Sequence, residues 1–395
     1  MEFQKIILKN GLTLLVEQRN LPVVTLLIAA KIGSGNEPAS LKGIAHYLEH
    51  SLFKGSKKRN SHEIALAIEK IGGKLNGFTA EDATAYWAKI RSNYFEKSLD
   101  VLSDMVLNPA FDKKEIEKEK KVILEEIKMC HDTPQVHVIN LLKSKLYQGP
   151  FSMPGIGTVK TLSSIKLFDL KKFYSFYTPN NIIISAVGKI DSDILNLIKK
   201  RFSFRKKLPI KKIIAVKSKG QIIEQRSGLD QSHLALGWHA PPINEKQRYA
   251  AEILNAVLGM GMSSRLFEEI RAKRGLAYSI HSHIEQERDY AYNLVYAGID
   301  KKNLGLVKEL ILKEIKKISS LNNKELEQAK EQLIGQHELT NEQSDAVAVE
   351  LVHEELSGNA KKWYVYPEKI ASVKLSDVKA LTKLKSYSFA AIVPN

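Results

Sequence analysis

The sequence predicts an α+β chain of two homologous domains, each an antiparallel-rich mixed sheet packed with helices, and three observations predict it. The first is size: 395 residues with 44% hydrophobic content can fill two cores. The second is an internal repeat. Phe111 to Ile127, set beside Leu321 to His337 at a constant offset of 210, repeats Lys114, Glu115, Glu117 and Lys120 as Lys324, Glu325, Glu327 and Lys330. Likewise Leu167-Phe168-Asp169-Leu170-Lys171, before the strand-like Asn181 to Val187, echoes Leu375-Ser376-Asp377-Val378-Lys379, before Ser388 to Val393. The third is pattern, since segments of period 2 are interleaved with amphipathic helical ones in both halves. The expected division is 1–205, a basic linker at 206–219, and 220–395.

The first element is a hairpin, Lys5-Ile6-Ile7-Leu8 and Leu12-Thr13-Leu14-Leu15-Val16, turning at Asn10-Gly11. A strand from Val23 to Ile32 follows, then a helix around residue 46, for which Ser40 is placed as a cap. A second helix is expected from Ser61 to Ile71. Gly72-Gly73 then opens a segment, Lys74 to Ala88, that alternates as an antiparallel strand does. Asp112 to Met129 reads as an acidic helix with alternating charge outside and Ile116, Ile123, Leu124 and Ile127 for burial. Far downstream, Ser263 to Ser279 reads as a helix ending in basic residues, closed by Gly275 and passing into a strand.

Chemistry is concentrated in His46-Tyr47-Leu48-Glu49-His50. On a helix turning about 100° per residue, His46, Glu49 and His50 fall within roughly a 100° arc, so all three reach one point. Two imidazoles supply neutral nitrogen ligands for zinc. Glu49, too close in register to complete a tetrahedron comfortably, is better placed to take a proton from water. This is the inverted form of the H-E-x-x-H arrangement. A third ligand must come from elsewhere, and the acidic helix offers Glu119 and Glu126, which share a face about 10 Å apart. One can bind the metal while the other supports a histidine, and spacing alone leaves open which does which. Glu115 and Glu117 read as a solvated face paired with lysines.

With these residues in view the chain resembles the pitrilysin/insulinase (M16) zinc metallopeptidases, in particular the short-chain branch that includes mitochondrial processing peptidase and its bacterial relatives. The resemblance runs nearly end to end and rests on the inverted motif within Gly43 to Gly55 and on Glu126, 76 residues after His50. It implies one Zn²⁺ per chain, held by His46, His50 and Glu126, with Glu49 as general base and Glu119 as supporting carboxylate. It also implies that Arg271 and Tyr278 steady the substrate and the developing oxyanion. The strand beginning at Asn76, with Gly77 and Phe78, would be a sheet edge that binds substrate as an added strand. Metal ligands do not repeat downstream, where Glu119 and Glu126 correspond to Ala329 and Gln336. The resemblance therefore implies one catalytic and one substrate-holding domain. It further implies pairing of two chains around a chamber, as a homodimer or a heterodimer, with peptides or unfolded segments as substrates.

Composition narrows the classes of function. The net charge of +16 is interleaved with acids or gathered in Arg205 to Lys212, without the aromatic interleaving of a single-strand binder or a recognition helix, so no specific nucleic-acid partner is expected. The apolar run from Pro22 to Ala30 is too short to span a membrane, and the first residues lack the apolar core of a signal peptide. A single cysteine, Cys130, excludes an internal disulfide and reads as a small buried residue. The cytoplasm is the expected compartment, with periplasm and mitochondrial matrix as alternatives. His233, His239, His281 and His283 are expected to be structural or solvent-facing. The rival reading is a non-catalytic scaffold or binding subunit of the same fold, and a polyanion-binding protein is a third.

Overall fold

The structure is a computed structural model that describes every residue except Met1, Asp191, Ser192, Arg205, Lys206, Lys212, Lys383 and Lys385. Five helices recur below: α1 (Ile44–Phe53), α2 (Lys113–Asp132), α3 (Pro134–Leu146), α4 (Asn323–Asn341) and α5 (Ser344–Leu356). The chain forms two compact units. Unit 1 comprises 1–127, 154–213 and 340–363, and unit 2 comprises 128–153, 214–339 and 364–395.

Unit 1 holds a six-stranded sheet built from β1 (Glu2–Ile7), β2 (Thr13–Gln18), β3 (Val23–Ala30), β4 (Lys74–Thr79), β5 (Thr84–Arg91) and β6 (Ile182–Gly188). Its order is β1-β2-β6-β3-β5-β4. Every neighbouring pair is antiparallel except β2 with β6. The hairpin turn expected at Asn10-Gly11 is present, with Gly11 at φ +93°, a conformation that glycine adopts without a side-chain penalty. β3 and β6 are buried almost throughout, which explains their continuous apolar runs. β4 lies at the sheet edge, next to β5 only.

Unit 2 holds a five-stranded sheet built from β7 (Gln221–Arg226), β8 (Ser232–His239), β9 (Ala277–Gln286), β10 (Ala291–Ile299) and β11 (Ser388–Pro394). Its order is β9-β10-β8-β11-β7, again antiparallel except for one pair, β11 with β7. Read from β4 in unit 1 and from β9 in unit 2, the two sheets share one topology, and unit 1 adds β1. The predicted α+β pair of mixed, antiparallel-rich sheets is thus present, and the repeat extends to the helices: α2 and α4 begin 210 residues apart, as do α3 and α5.

Neither unit is one continuous stretch of chain. α5, late in sequence, belongs to unit 1, where Ser344 Oγ and Thr25 Oγ1 lie 2.9 Å apart and Lys89 Nζ pairs with Asp345 at 2.7 Å. α3, from the first half, belongs to unit 2, where Leu142 packs against Gly237 of β8 and Ser388 of β11 donates to the Lys145 carbonyl at 3.2 Å. Each sheet is covered on one face by a helix of the opposite sequence half. Within the expected linker, Val216–Lys217 pairs antiparallel with Tyr147–Gln148, while Lys206 and Lys212 lie outside the described residues. Cys130 is half-buried on α2, less enclosed than the reading of a small core residue implied. No helix among the described residues is long and apolar enough to cross a membrane.

Candidate metal centre

The site is assembled on α1. Its N-terminus is set by Gly43, at φ +96° and so tightly placed that a Cβ would meet the Ile156 carbonyl at 2.5 Å. Ser40 does not cap the helix, because it lies in a 3₁₀ turn (Ala39–Leu41) upstream. Glu37 serves instead: its carboxylate accepts from the Gly43 and Ala45 amides at 3.0 and 2.6 Å. These amides are among the unpaired donors of a helix start, and a negative charge there suits the helix dipole. Glu37 is fully buried with Lys42, whose ammonium donates to the Ser34 carbonyl at 2.6 Å and stands 3.3 Å from the carboxylate. Burial pushes the Glu37 carboxyl up to about 7, against the opposing pull of Lys42 and the two amides.

α2 is fastened beside α1 by burial of Ile116 and Ile123 and by the Tyr47 hydroxyl, which donates to the Ile116 carbonyl at 2.8 Å. That docking places the two glutamates that share a face before different atoms. Glu119 meets His50 Nδ1 at 2.8 Å and Lys54 Nζ at 2.6 Å. Glu126 instead stands before the other ring nitrogens, 3.8 Å from His46 Nε2 and 3.7 Å from His50 Nε2. These gaps are too long for hydrogen bonds. They are close to the ~3.4 Å that separates two atoms bonded to one tetrahedral zinc. One donor atom each from His46, His50 and Glu126 lies within 4.8 Å of the other two.

Burial, reinforced by the neighbouring His50, pushes His46 down to about 4, so it is a neutral imidazole at pH 7, the form a metal ligand takes. For Glu119, burial works to raise the carboxyl, but the hydrogen bonds from His50 and Lys54 outweigh it and hold the group ionised, as a carboxylate that orients a ligating histidine must be. His46 Nδ1 is buried without a hydrogen-bond partner. The donor set, two imidazoles and a carboxylate, fits zinc with room for water.

Glu49 is 7% exposed and faces β4. Thr79, at the end of that strand, donates its hydroxyl to Glu49 Oε2 at 2.6 Å. Gly77, two residues earlier on the same face, leaves no room for a side chain: a Cβ would lie 3.0 Å from Glu49 Oε1 and 2.9 Å from the Phe53 ring. Burial pushes the Glu49 carboxyl up, with the Glu126 charge adding to it, against the Thr79 hydrogen bond and His50. The edge strand carrying Asn76, Gly77 and Phe78 therefore runs directly past Glu49. Thr79, Lys54 and Glu37 had no assigned role in the sequence reading. Nothing local to Thr79 or Glu37 distinguishes them, whereas Lys54, one turn after His50, has the spacing of a residue on the ligand face.

Arg271 and Tyr278 belong to unit 2. Arg271 lies in an irregular helical turn (Phe267–Ala272) and Tyr278 on the edge strand β9, and Gly275 between them takes φ +62°. The guanidinium sits 5.4 Å from the centre of the Tyr278 ring and 4.9 Å from that of Phe267. Tyr278 is 76% exposed, so its hydroxyl is free of the core packing that a strand residue ordinarily has. His233 meets the Tyr296 hydroxyl at 2.8 Å, His239 meets the Ser218 carbonyl at 3.0 Å, His281 lies against the Tyr296 ring and His283 pairs with Glu285 on the surface.

A helix-borne His-x-x-Glu-His with a distant glutamate, in the first of two like units, defines a class of protein. The comparisons agree with it. The model of the insulinase family (peptidase family M16) matches residues 12–158, and that of the M16 inactive domain matches 164–333. The uncharacterized zinc protease YmxG of Bacillus subtilis is 32% identical over 399 residues, 98% of this chain and 97% of the relative. An uncharacterized zinc protease of Rickettsia felis is 33% identical, covering 94% and 91%. Among solved structures, a protease from Helicobacter pylori superposes with a TM-score of 0.91 at 25% identity, over 100% of this chain and 99% of that one. The M16 inactive-domain structure from Pseudomonas fluorescens gives 0.91 at 19% identity, over 100% and 99%, a likeness of fold. The chain belongs to the insulinase family of peptidases, M16.

Proposed function

We propose that the chain is a zinc-dependent endopeptidase that cleaves peptides or unfolded polypeptide segments. The observation that carries this reading is the convergence of His46, His50 and Glu126 on one point, beside a buried Glu49 that an open strand edge passes. His46, His50 and Glu126 would hold the metal, and Glu119 fixes His50 with Nε2 turned inward. Zinc, when bound, supplies a Lewis acid that polarises the scissile carbonyl and makes water a better acid. Glu49 takes the proton from the attacking water and, once protonated, delivers it to the departing amine. Thr79 holds Glu49 in the orientation this shuttle needs.

The free edge of β4 binds an extended peptide by main-chain hydrogen bonds, and Gly77 lets that peptide and Glu49 approach closely. Such binding reads backbone more than side chains, which suits unfolded segments of varied sequence. Arg271 and Tyr278 supply donors for the charge appearing on the carbonyl oxygen. By analogy with short-chain relatives, we infer a homodimer in which they serve the partner's site. Against a non-catalytic scaffold role in the same fold stands the intact set of donors, base and supporting carboxylate.

The test is zinc content together with cleavage of a quenched unstructured peptide, comparing the chain with Glu49→Gln. Equal zinc content in both, including the equivalent that His46→Ala would lose, with turnover lost in the variant, is expected. Zinc without turnover in the unaltered chain would favour the scaffold reading, and absence of zinc would overturn the proposal.

A further inference from the structure

Unit 2 contains a second cluster of metal-ligating side chains, which the proposed reaction does not use. It forms where the end of α2 turns into α3 against β7, the edge strand of its sheet. His131 lies in the last turn of α2, His137 in the first turns of α3, and Glu224 on β7. His137 Nε2 is 2.9 Å from Glu224 Oε2, and the two imidazole rings are 4.5 Å apart between centres. One donor atom from each of the three residues lies within 4.8 Å of the others.

A cation already bridges two members of this cluster. Arg226, on the same strand face as Glu224, sends Nη2 to Glu224 Oε1 and to His131 Nε2, each at 3.0 Å, and Nη1 to the His131 carbonyl at 2.7 Å. A guanidinium has donors only, so His131 Nε2 must present its lone pair to it. The proton then sits on Nδ1, which faces Asp132 Oδ1 at 3.4 Å. A histidine with a carboxylate behind one nitrogen and a lone pair on the other is poised as a metal ligand.

We propose that His131, His137 and Glu224 form a second divalent-cation site, of the zinc type, in which Arg226 stands in for the ion when none is bound. Two imidazole nitrogens and one carboxylate oxygen match zinc rather than magnesium or calcium. On uptake the Arg226 side chain swings out to solvent. His137 moves its proton from Nε2 to Nδ1, freeing Nε2 as a donor. His131 is at the surface, which leaves an entry path and positions for water. The ion would pin the α2–α3 corner to the outer strand of the unit 2 sheet. The proposal does not depend on the peptidase reading.

The test is zinc stoichiometry on the full chain by native mass spectrometry and equilibrium dialysis against free Zn²⁺. The unaltered chain should take one equivalent more than His137→Gln or Glu224→Gln, while His46→Ala should lose a different equivalent and keep this one. Arg226→Gln, which removes the competing charge, should tighten the second equivalent by about tenfold or more. Circular dichroism identifies any variant that fails to fold, and the Arg226→Gln shift does not rely on losing a ligand. Equal uptake by the unaltered chain and by folded His137→Gln, or unchanged zinc affinity in Arg226→Gln, would overturn the proposal.

Discussion

The two units carry the same sheet topology and the same pair of long helices, yet only one of them has the donor set described on α1 and α2. In unit 1, α1 presents His46, Glu49 and His50 while α2 presents Glu119 and Glu126. In unit 2, α4 offers Ala329 and Gln336 at the matching positions, and the helix Arg248–Gly259 is mainly apolar and almost entirely buried. A cleft of about 470 Å³ is found there, lined by Ala256, Val257, Arg265, Glu325 and Ala329 among others, with Arg265 and Glu325 paired at 2.7 Å. Burying apolar faces is enough to specify the scaffold. The site is a thin layer of polar residues laid on it, each of which costs burial energy and needs its own partner. The layer is therefore separable from the fold.

That separation can be broken most sharply at Glu49. Glu49→Gln keeps shape and zinc but removes the proton acceptor, so turnover should fall by about 10²–10⁴-fold with unit 2 and the overall fold unchanged. Retained turnover at neutral pH would assign the base elsewhere.

A smaller effect concerns the buried charge ahead of α1. Glu37 titrates at about 7 when folded and at the ordinary 4.5 when unfolded, so the folded state holds the proton more tightly. Its contribution to stability is full below pH 4.5 and is lost as pH rises to 7, by an amount of order 3 kcal/mol. Denaturant unfolding between pH 4.5 and 8, compared with Glu37→Gln, should show the variant lacking this slope. Equal slopes would mean that Lys42 keeps the carboxylate charged throughout.

Glu119→Gln sharpens the difference from Ala329. The amide cannot hold His50 as a carboxylate does, and zinc affinity should fall by about 10–100-fold while the helices stay packed. Competition with a chromogenic chelator measures it, and unaltered affinity would reduce Glu119 to a partner of Lys54. Thr79→Val should have the smallest effect. Loss of one hydrogen bond to a carboxylate, about 1.5 kcal/mol, should lower kcat by about tenfold and leave zinc content unchanged. A change in KM alone would place Thr79 in substrate binding instead.

The strongest local signals were legible in the chain. His46, Glu49 and His50 share a helical arc by spacing alone, the Asn10-Gly11 turn announces the first hairpin, and the offset of 210 between α2 and α4 shows that the fold is doubled. Which of Glu119 and Glu126 stands before the Nε2 atoms of His46 and His50 was not legible from spacing, although the family resemblance implied Glu126. Both occupy the same stripe of α2, and the register of α2 on α1, fixed by Tyr47 against the Ile116 carbonyl, decides it. The helix exchange was hidden for a related reason: an amphipathic helix records that it has an apolar face, not which sheet that face will meet. Ser40 misled because a cap is chosen by where the chain turns, and here the turn is made by Gly43 with a carboxylate supplied from Glu37.

The sequence by itself determined the periodicities, and through them the elements, the doubled α+β plan and the local half of the metal site, since these depend on residues within a few positions of one another. Only the tertiary structure decided that Thr79 and Gly77 stand against Glu49, that Glu126 lies 3.7 Å from His50 Nε2, and that Glu224 meets His137, 87 residues away. Contacts across such separations are set by side-chain packing between elements, and no spacing in the chain encodes them.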